Sequence, residues 1–322
     1  MRPGRGSDEL DEVVRRFQEH PGLRAKSSLR LLAEVFGPTD WIHGPGDDAA
    51  VLPADGSYLL AAGEAIWPPL VEADPYAAGV AAVVANVNDI AAMGGRSMAL
   101  VDTVVGSEPV ARRVLEGMRA ASDLYGVPVV GGHLTVREGA PAVSAFVVGR
   151  ARVLLVSANV AAGQVLLLAA AVEGRMREDF PFFSSIQERG PRLAGDLAVL
   201  PAVAEAGSCV AAKDVSMAGL LGSLAMLLEP TGAGGAVDLD RLPHPRDVSL
   251  ATWTAAFPLY GFLLCAPPDR AEECAEAFRE RGLDCQAVGI LDDTGDLRVR
   301  LGGREALLAR PAEEGVTRLG GG

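Results

Sequence analysis

Four short segments carry residues whose types and spacing suit the binding of a metal ion and a nucleotide. They are residues 46–51, 86–95, 131–133 and 213–219, which read GDDAAV, NVNDIAAMGG, GGH and KDVSMAG. Three of them place carboxylates in or beside short Gly/Ala turns, and the other is predicted to be a Gly-Gly-His turn. Mg²⁺ takes hard oxygen ligands and usually keeps water or phosphate oxygens in its shell. The segments therefore point to ATP chemistry in a chain that has no P-loop.

The carboxylates of the first two segments differ in how strongly they indicate a metal. Asp47 and Asp48 lie between Gly46 and a strand-like run, where Asp also occurs simply because it bonds its own backbone in turns. Asp89 lies in the last turns of a predicted helix, at the negative end of the helix dipole, which costs about 0.3–1 kcal/mol. A nearby cation would remove that cost, and Asn86 shares the helix face three residues earlier. The alternative is an exposed Asp89 that tolerates the cost.

Other charged candidates lie at the ends of predicted strands and helices. Glu64 ends an apolar strand, and Asp214 directly precedes a helix whose predicted N-cap is Ser216. Helix N-termini attract anions, but an Asp at this place also serves as an ordinary cap. Lys26 and Lys213 are candidate partners for the γ-phosphate, and a solvated turn is the alternative for Lys26.

The Gly-Gly-His segment follows a predicted apolar strand at residues 127–130. Gly131 and Gly132 would let the backbone approach a ligand closely, and Thr135 would add a hydroxyl beside His133. A hydrogen-bonded structural histidine is the alternative for His133. Residues 175–185 place three of the nine Phe residues among charges. This segment is either a lid for an anionic or planar substrate or a packed irregular loop.

Composition limits the class of protein. A length of 322 residues suggests roughly two domains. The net charge of −13 argues against nonspecific binding of nucleic acid, but not against ATP, because bound Mg²⁺ inverts the local charge. The four cysteines form no CxxC pair, which is typical of reduced, structural cysteines in the cytoplasm. The sequence shows no signal-peptide apolar region and no unbroken apolar run of about 18 residues, so we expect no membrane association.

The elements that must position these residues alternate between helices and strands, which favours an α/β or α+β fold in two halves. We expect a domain at residues 1–157, a second at residues 158–318 and a disordered tail at residues 319–322. Ser7 is a plausible N-cap of the first helix, and a turn is predicted at residues 21–26. Periodicity and end signals predict helices at residues 8–19, 74–93, 108–125, 188–206, 216–229 and 269–281, and a further helix that is capped by Ser27 or Ser28 and ends at residue 36. They predict strands at residues 49–52, 58–62, 97–105, 127–130, 142–156 (with a break), 165–171, 209–212, 236–239, 261–265 and 287–291.

The order of the motifs resembles that of the superfamily of aminoimidazole ribonucleotide (AIR) synthase, thiamine-monophosphate kinase, selenophosphate synthetase and a hydrogenase maturation factor. The likeness runs from about residue 22 to residue 291. Residues 46–52 resemble the kinase's GDDAAVL, residues 88–95 the SDIAAMGG-type segment, and residues 131–133 the synthetase's GGHT. Residues 213–219 resemble DISDGG or DVTGFG, and residues 233–243 resemble the family's GA-x-IDLDRLP.

This resemblance implies a two-domain AIR-synthase-like fold that binds ATP and Mg²⁺. The N-terminal sheet would pair with that of a second subunit in a homodimeric β-barrel, and the C-terminal domain would be an α/β sandwich. Carried over from the resemblance, Gly131, Gly132 and His133 would lie beside the nucleotide, and Asp47, Asp48, Asp89 and Asp214 would be metal ligands. From the residues themselves we add Asn86 and Thr135 beside the nucleotide and Glu64 as a further metal ligand. We also expect Lys26, Lys213 and Asp214 to take part in catalysis.

Departures from the family patterns narrow the subfamily. Selenophosphate synthetase carries a reactive Cys or Sec near its N-terminus, whereas Cys209 is the first cysteine here, and the hydrogenase factor ends in a reactive Cys, whereas this sequence ends in Gly322. The kinase expects TTD where this chain has Ala62-Gly63-Glu64, and DISDG at residues 214–218. AIR synthase's characteristic N-terminal segment is not visible. The sequence is most similar to AIR synthase-related proteins, a branch often associated with nitrilase-type gene clusters.

Three functions follow from the sequence. The leading hypothesis is an Mg²⁺-dependent enzyme that transfers or activates through the γ-phosphate of ATP on a small molecule, mostly by positioning and charge neutralisation. The second is a small-molecule kinase like thiamine-monophosphate kinase. The third is a nucleotide-binding scaffold subunit that has lost catalysis, which the departures at Glu64 and Met217 leave open.

Overall fold

A computed structural model describes residues 5–37 and 46–319, with side chains from residue 8 onward. Four short 3₁₀ helices lie at Ser27–Leu29, Ser157–Asn159, Gly190–Arg192 and Leu239–Arg241. The α-helices are α1 (Arg5–Gln18), α2 (Pro21–Lys26), α3 (Arg30–Phe36), α4 (Pro68–Ala73), α5 (Pro75–Ala92), α6 (Glu108–Tyr125), α7 (Ile186–Arg189), α8 (Leu193–Leu197), α9 (Val199–Ala206), α10 (Gly219–Leu228), α11 (Leu250–Ala255), α12 (Ala271–Arg279) and α13 (Pro311–Glu314). The strands are β1 (Ala50–Ala54), β2 (Ser57–Ala65), β3 (Arg96–Gly106), β4 (Val129–Val136), β5 (Ala142–Ala151), β6 (Val165–Ala170), β7 (Arg175–Met176), β8 (Phe182–Ser184), β9 (Ala211–Asp214), β10 (Gly234–Asp238), β11 (Phe257–Pro258), β12 (Gly261–Ala266), β13 (Asp284–Asp292), β14 (Leu297–Leu301) and β15 (Arg304–Ala309).

The chain divides into two compact units that are not continuous in sequence. The smaller unit contains residues 48–154 and 189–202, and the larger unit contains residues 1–47, 155–188 and 203–322. The short segment at residues 189–202 thus belongs to the unit whose sheet was completed some forty residues earlier. The predicted domain boundary at residue 157 stays a prediction.

The smaller unit is a five-stranded sheet with helices on one face. Its strand order is β1-β2-β5-β3-β4, with β3 and β4 parallel and the other neighbours antiparallel. From Val143 to Ala151, every second residue of β5 is buried and the residues between them are exposed or, at Ser144, half-buried, as expected for a sheet with one covered face. Helices α5 and α6 pack on that face. Among the described residues the sheet is open, and it closes no barrel.

Two glycines bring α5 and α6 into backbone contact. A Cβ on Gly79 of α5 would lie 2.0 Å from the carbonyl oxygen of Val114, and one on Gly117 of α6 would lie 2.1 Å from that of Tyr76. No side chain fits at either distance, so glycine is required by the close approach of the helices. The packing fixes the position of α5, the helix that carries Asn86 and Asp89.

The larger unit is built around a seven-stranded mixed sheet. Its order is β15-β14-β10-β13-β6-β12-β9. Every residue of β12 is buried, and so is all of β6 after Val165, which explains why both strands are continuous apolar runs in the sequence. Helix α10 is buried along its whole length. A small third sheet, β11-β8-β7, joins two loops of the unit.

Most of the predicted elements are confirmed within a few residues, and the errors have local causes. The turn predicted at residues 21–26 is wrong, because Pro21 occupies the first position of α2, where proline's missing N–H is no loss. The helix predicted at residues 188–206 is interrupted at Gly190, whose φ of 46° and following proline break it into shorter pieces. Helix α1 begins at Arg5, ahead of the predicted cap Ser7. Strands β14 and β15 were not predicted.

Several other expectations concern the whole chain. The four cysteines are buried thiols, and burial raises the pKa of Cys265 to about 12, which fits a structural role. Most of the tail predicted to be disordered, residues 320–322, lies outside the described residues. Within residues 5–37 and 46–319, no helix has the length and apolarity needed to cross a membrane.

A fully buried ion pair links two residues within the segment at residues 189–202, which belongs to the smaller unit. The guanidinium of Arg189 donates two hydrogen bonds to Oδ2 of Asp196, at 2.9 and 2.7 Å, and both side chains are completely inaccessible to solvent. Tyr125 of α6 is also buried. Its burial, with a contribution from the negative charge of Asp196, raises the pKa of its hydroxyl.

We predict that Arg189→Met destabilises the protein by about 3–5 kcal/mol, because it leaves a buried carboxylate without its guanidinium. The double variant Arg189→Met/Asp196→Leu should recover much of that loss, since no buried charge then remains. Urea denaturation measures both. The control is Arg112→Met, which removes an exposed ion pair with Glu108 and should leave the midpoint essentially unchanged. Equal losses for the buried and exposed pairs would contradict the assignment.

Candidate functional site

Asp89 lies where the sequence predicted, in the last turn of α5. Its side chain is buried, with 7% of its surface exposed. The helix ends at Ala92 with Met93 as its C-cap, and the φ of 75° at the following Gly94 suits glycine. A buried carboxylate at the negative end of a helix is unfavourable on both counts, and a bound cation would offset both.

Asn86 fixes the rotation of α5 on the sheet. Its Nδ2 donates to the carbonyl oxygen of Ala82 in its own helix (2.8 Å) and to that of Ala145 in β5 (3.1 Å). Both amide hydrogens are therefore used by the backbone. The structure thus gives Asn86 a positioning role for Asp89, which lies one turn further on, and its predicted contact with a nucleotide stays a prediction.

The carboxylates of Asp48 and Asp89 lie together in the smaller unit. Their oxygens are within 4.8 Å of each other, and Asp48 is half-buried just before β1. At that separation two like charges repel by about 3 kcal/mol, taking an effective dielectric constant of 20. A divalent cation between them would turn this repulsion into attraction. The pair is the strongest sign of metal chemistry in this unit.

Glu64 lies on the side of the sheet that faces α5. It pairs in register with Ala145, the residue whose carbonyl oxygen accepts the hydrogen bond from Asn86. Side chains in register across neighbouring strands share a face, so Glu64 and Asn86 approach the same place from the sheet and from the helix.

Asp47 makes a structural contact in the larger unit, where its Oδ1 accepts a hydrogen bond from the N–H of Ser157 (2.9 Å). Its ligand role stays a prediction.

The Gly-Gly-His segment is part of strand β4, so the predicted turn is wrong. Gly131 pairs with Val101, and Gly132 with Asp102, in a parallel ladder. Valines and threonine on both sides keep the chain extended, and Gly132 is glycine because the side chain of Asp102 fills the space above it. A Cβ there would lie 2.4 Å from Oδ1 of Asp102.

His133 and Thr135 lie on the face of the sheet opposite α5 and α6. Leu134 and Val136 line a groove against α6, so their neighbours in the strand point the other way. Nε2 of His133 and the hydroxyl of Thr135 are 3.2 Å apart, within hydrogen-bonding distance. Within one chain the sheet therefore separates these two side chains from Asp89.

Asp214 and Lys213 end strand β9 of the larger unit, and both are buried. Adjacent residues of a strand point to opposite faces, so the two side chains do not act on the same side of the sheet. The predicted cap Ser216 is wrong. Helix α10 begins at Gly219, because residues 215–218 form a turn in which the N–H of Ser216 donates to Oγ of Ser223 (3.0 Å).

Lys26 ends α2 in the larger unit and is half-buried.

Residues 180–185 lie in and beside β8, where Phe183 stacks edge-on against Trp253 and Phe182 packs against Phe257, each with 5.3 Å between ring centroids. Of the two alternatives for this segment, the structure favours the packed one, since its aromatic rings contact Phe257 of β11 and Trp253 of α11.

Sequence reasoning missed three residues beside the predicted site. Asp102 is a half-buried carboxyl whose pKa is raised by burial, and only its pairing with Gly132 draws attention to it. His20 and Gly22 flank Pro21 at the start of α2. Their signal in the sequence was the dipeptide Pro-Gly, which was interpreted as a turn.

Comparison with known proteins matches most of the chain. Residues 46–151 match the family model described as AIR synthase related protein, N-terminal domain, and residues 152–302 match that of the C-terminal domain. The chain is 36% identical over 306 residues to an uncharacterized protein of Synechocystis sp., an alignment that covers 92% of this chain and 95% of that protein.

Two solved structures share the fold. T. maritima PurL complexed with ADP has a TM-score of 0.72 at 22% identity and is matched over 88% of this chain and 54% of PurL, so the chain spans about half of that protein. AaThiL complexed with AMPPCP and TMP has a TM-score of 0.67 at 18% identity, covering 86% of this chain and 94% of AaThiL.

The two neighbouring glycines of β4 give a matched pair of variants. A Cβ on Gly131 would meet no atom closer than 3.9 Å, whereas one on Gly132 would meet Asp102. We predict that Gly132→Ala destabilises the protein by about 1–3 kcal/mol through overpacking and that Gly131→Ala does not. Urea denaturation measures both. A loss of nucleotide affinity in Gly131→Ala without loss of stability would support its role beside the nucleotide, and equal stability losses would contradict the packing analysis.

Proposed function

Because the chain belongs to the AIR synthase-related family, we propose that it is an Mg²⁺-dependent enzyme that uses ATP. It would transfer or activate through the γ-phosphate on a small-molecule substrate. The observation that carries the proposal is the pair of carboxylates Asp48 and Asp89, whose oxygens lie within 4.8 Å of each other. The relatives of the same fold that are complexed with ADP and AMPPCP support the choice of nucleotide.

The donor set fits magnesium. With Mg–O distances of about 2.0–2.1 Å, two ligand oxygens are about 3 Å apart when adjacent and about 4 Å apart when opposite. The 4.8 Å limit on the separation of the Asp48 and Asp89 oxygens is close to the second of these distances. Carboxylates are hard oxygen ligands, and Mg²⁺ usually binds through one or two of them together with substrate phosphates. Neutralisation of phosphate charge is the chemistry that the ion supplies when bound.

Other residues of the site have proposed supporting roles. Asp214, Glu64 and Asp47 are further candidate ligands, directly or through metal-bound water, on the strength of their motifs. Lys26 is the preferred cation for the γ-phosphate, since Lys213 points to the opposite side of β9 from Asp214. The protein's own contribution would be positioning: a fixed α5, two oriented carboxylates and a cation.

We also propose that the protein is a homodimer joined through the outer face of the five-stranded sheet. Exposed apolar side chains line this face, among them Leu52, Val101, Phe146 and Val148, each 39–51% exposed. Such patches mark interaction sites when they are contiguous. A partner placed there would also cover His133 and Thr135, which lie on the same face, and would give them a route to a ligand that one chain alone does not provide.

One observation bears on the alternatives. The match over 94% of AaThiL, which is complexed with TMP, keeps a kinase acting on a phosphorylated small molecule as the second candidate. Phosphate transfer to thiamine phosphate would support it. Nucleotide binding without turnover, even beside candidate partners, would favour the scaffold hypothesis instead.

We predict that ATP binds only in the presence of Mg²⁺ and that Asp48→Asn and Asp89→Asn abolish this binding. Each variant removes a charge that the ion needs, and loss of several kcal/mol of charge stabilisation corresponds to roughly a hundredfold or more in turnover. Calorimetry at low-micromolar protein measures the binding, and ADP release in a substrate screen measures turnover. The control is Asp55→Asn, an exposed carboxylate in the β1–β2 turn. Unchanged binding and turnover in both site variants would overturn the metal assignment.

We predict that Val148→Asp converts the dimer into a monomer, because it places a charge in the apolar contact. Light scattering after gel filtration gives the mass directly. Val153→Asp is the matched control, since Val153 is 42% exposed, close to the 46% of Val148, but lies beyond the sheet. A monomeric wild-type protein, or a dimer that survives Val148→Asp, would refute the proposed interface.

A further inference from the structure

The N-terminus of α2 is held in unusually close contact with the turn that follows Asp214. Residues 215–218 form this turn, and all the residues involved belong to the larger unit. A Cβ on Gly22 would lie 2.2 Å from the carbonyl oxygen of Met217 and 2.9 Å from its carbonyl carbon. Both are backbone atoms that cannot rotate away, so only glycine allows the helix to lie where it does.

His20 ties the same helix to a second element. The N–H of Gly22 donates to Nδ1 of His20 (3.1 Å), and Nε2 of His20 lies 2.9 Å from the carbonyl oxygen of Ala255, the last residue of α11. Because Nδ1 accepts, the ring proton is on Nε2, which donates to Ala255. The buried imidazole thus caps α2 and anchors it to α11 at once.

A second glycine completes the contact. Gly222 of α10 lies beside the same contact. A Cβ there would lie 2.8 Å from Cβ of Ala218, the last residue of the turn, and 3.2 Å from Cδ1 of Leu23. Neither Gly22 nor Gly222 has a positive φ. Their requirement is therefore for space between elements and not for a special backbone conformation.

This contact determines where Lys26 lies. Lys26 follows Gly22 by four residues on α2, so the two share one side of the helix, about 6 Å apart along its axis. That side is the one on which Gly22 meets Met217, three residues after Asp214. Lys26 therefore lies on the side of α2 that packs against residues 215–218, one helical turn beyond Gly22.

We propose that His20 and Gly22 are positioning residues that hold α2 on the 215–218 turn so that Lys26 meets the phosphates of a nucleotide bound beside Asp214. The inference rests on the proposed function and assigns the cationic contact to Lys26. His20 and Gly22 touch no substrate in this scheme. Their effect on nucleotide binding passes entirely through the placement of α2.

A double-mutant cycle tests the proposal. We expect Lys26→Ala and Gly22→Ala each to weaken Mg-ATP binding roughly ten- to hundredfold, since displacement by about 1 Å has effects of that size. If Gly22 acts through Lys26, Gly22→Ala/Lys26→Ala should bind no more weakly than Lys26→Ala alone. Calorimetry with Mg-ATP gives the affinities, and thermal denaturation of each variant gives stability. Ala25→Ser, an exposed change on the same helix, is the control and should match the wild type.

A milder variant guards against misfolding of Gly22→Ala. His20→Asn keeps an N-cap acceptor for Gly22 but is too short to reach Ala255, so it releases α2 from α11 alone. It should weaken Mg-ATP binding in the wild-type background and not in the Lys26→Ala background.

The outcomes separate the two levels of the argument. Additive losses in either cycle would overturn the positioning role and leave the contact as packing. An unaltered affinity in Lys26→Ala, with binding still lost in Asp89→Asn, would overturn this inference while the proposed function stands. Mg-ATP binding that survives Asp48→Asn and Asp89→Asn would remove the proposed function itself.

Discussion

Backbone contact between α5 and α6 is the constraint on which the smaller unit depends. Gly79 and Gly117 let the two helices touch at distances where any side chain would collide with a carbonyl oxygen. The hydrogen bond from Asn86 to Ala145 then sets how α5 is turned on the sheet. With its position and rotation fixed in this way, α5 delivers the Asp89 carboxylate to a defined place. The contacts that fix α5 therefore also keep the Asp89 carboxylate buried.

Glycine has the same function in the larger unit, between different partners. There it allows α2 to rest on the turn after β9, where Gly22 faces the backbone of Met217. In both units, a glycine therefore allows a close backbone contact near an acidic residue that the sequence had already singled out. A net charge of −13 makes this arrangement reasonable, because the protein as a whole attracts cations and the fixed carboxylates select where they bind.

The sequence was most informative where one physical signal dominated. Helices α5 and α6 were predicted almost to the residue, because Asp74 and Ser107 precede prolines at their starts and glycines follow their ends. Strands β6 and β12 were both predicted, and both are apolar throughout and buried almost completely. The approach of Asp48 to Asp89 was expected from the order of motifs, but its distance was not, since it depends on how α5 lies against the strands.

The errors arose at glycines, because glycine occurs both in turns and at close contacts inside strands and helices. Gly131-Gly132 and Pro21-Gly22 were both interpreted as turns, yet the first lies within a strand and the second begins a helix. In each case the position requires glycine because a residue distant in sequence, Asp102 or Met217, fills the space where a side chain would lie. The local sequence pattern gives no sign of such a contact. The separation of His133 from Asp89 by the thickness of the sheet was likewise invisible, because the alternation of a strand is defined only once its boundaries are known.

The buried pair of Arg189 and Asp196 also has a meaning for synthesis of the chain. The strands of the smaller unit are complete by residue 151, but the segment that covers the Tyr125 side of α6 is translated only with residues 189–202. During translation the packing of the smaller unit therefore stays incomplete, with an apolar surface exposed, until about fifty further residues have been synthesised. If the chain were divided near residue 154, the first part would lack the segment that covers α6. The two units are therefore separate in space, but their sequences are interleaved along the chain.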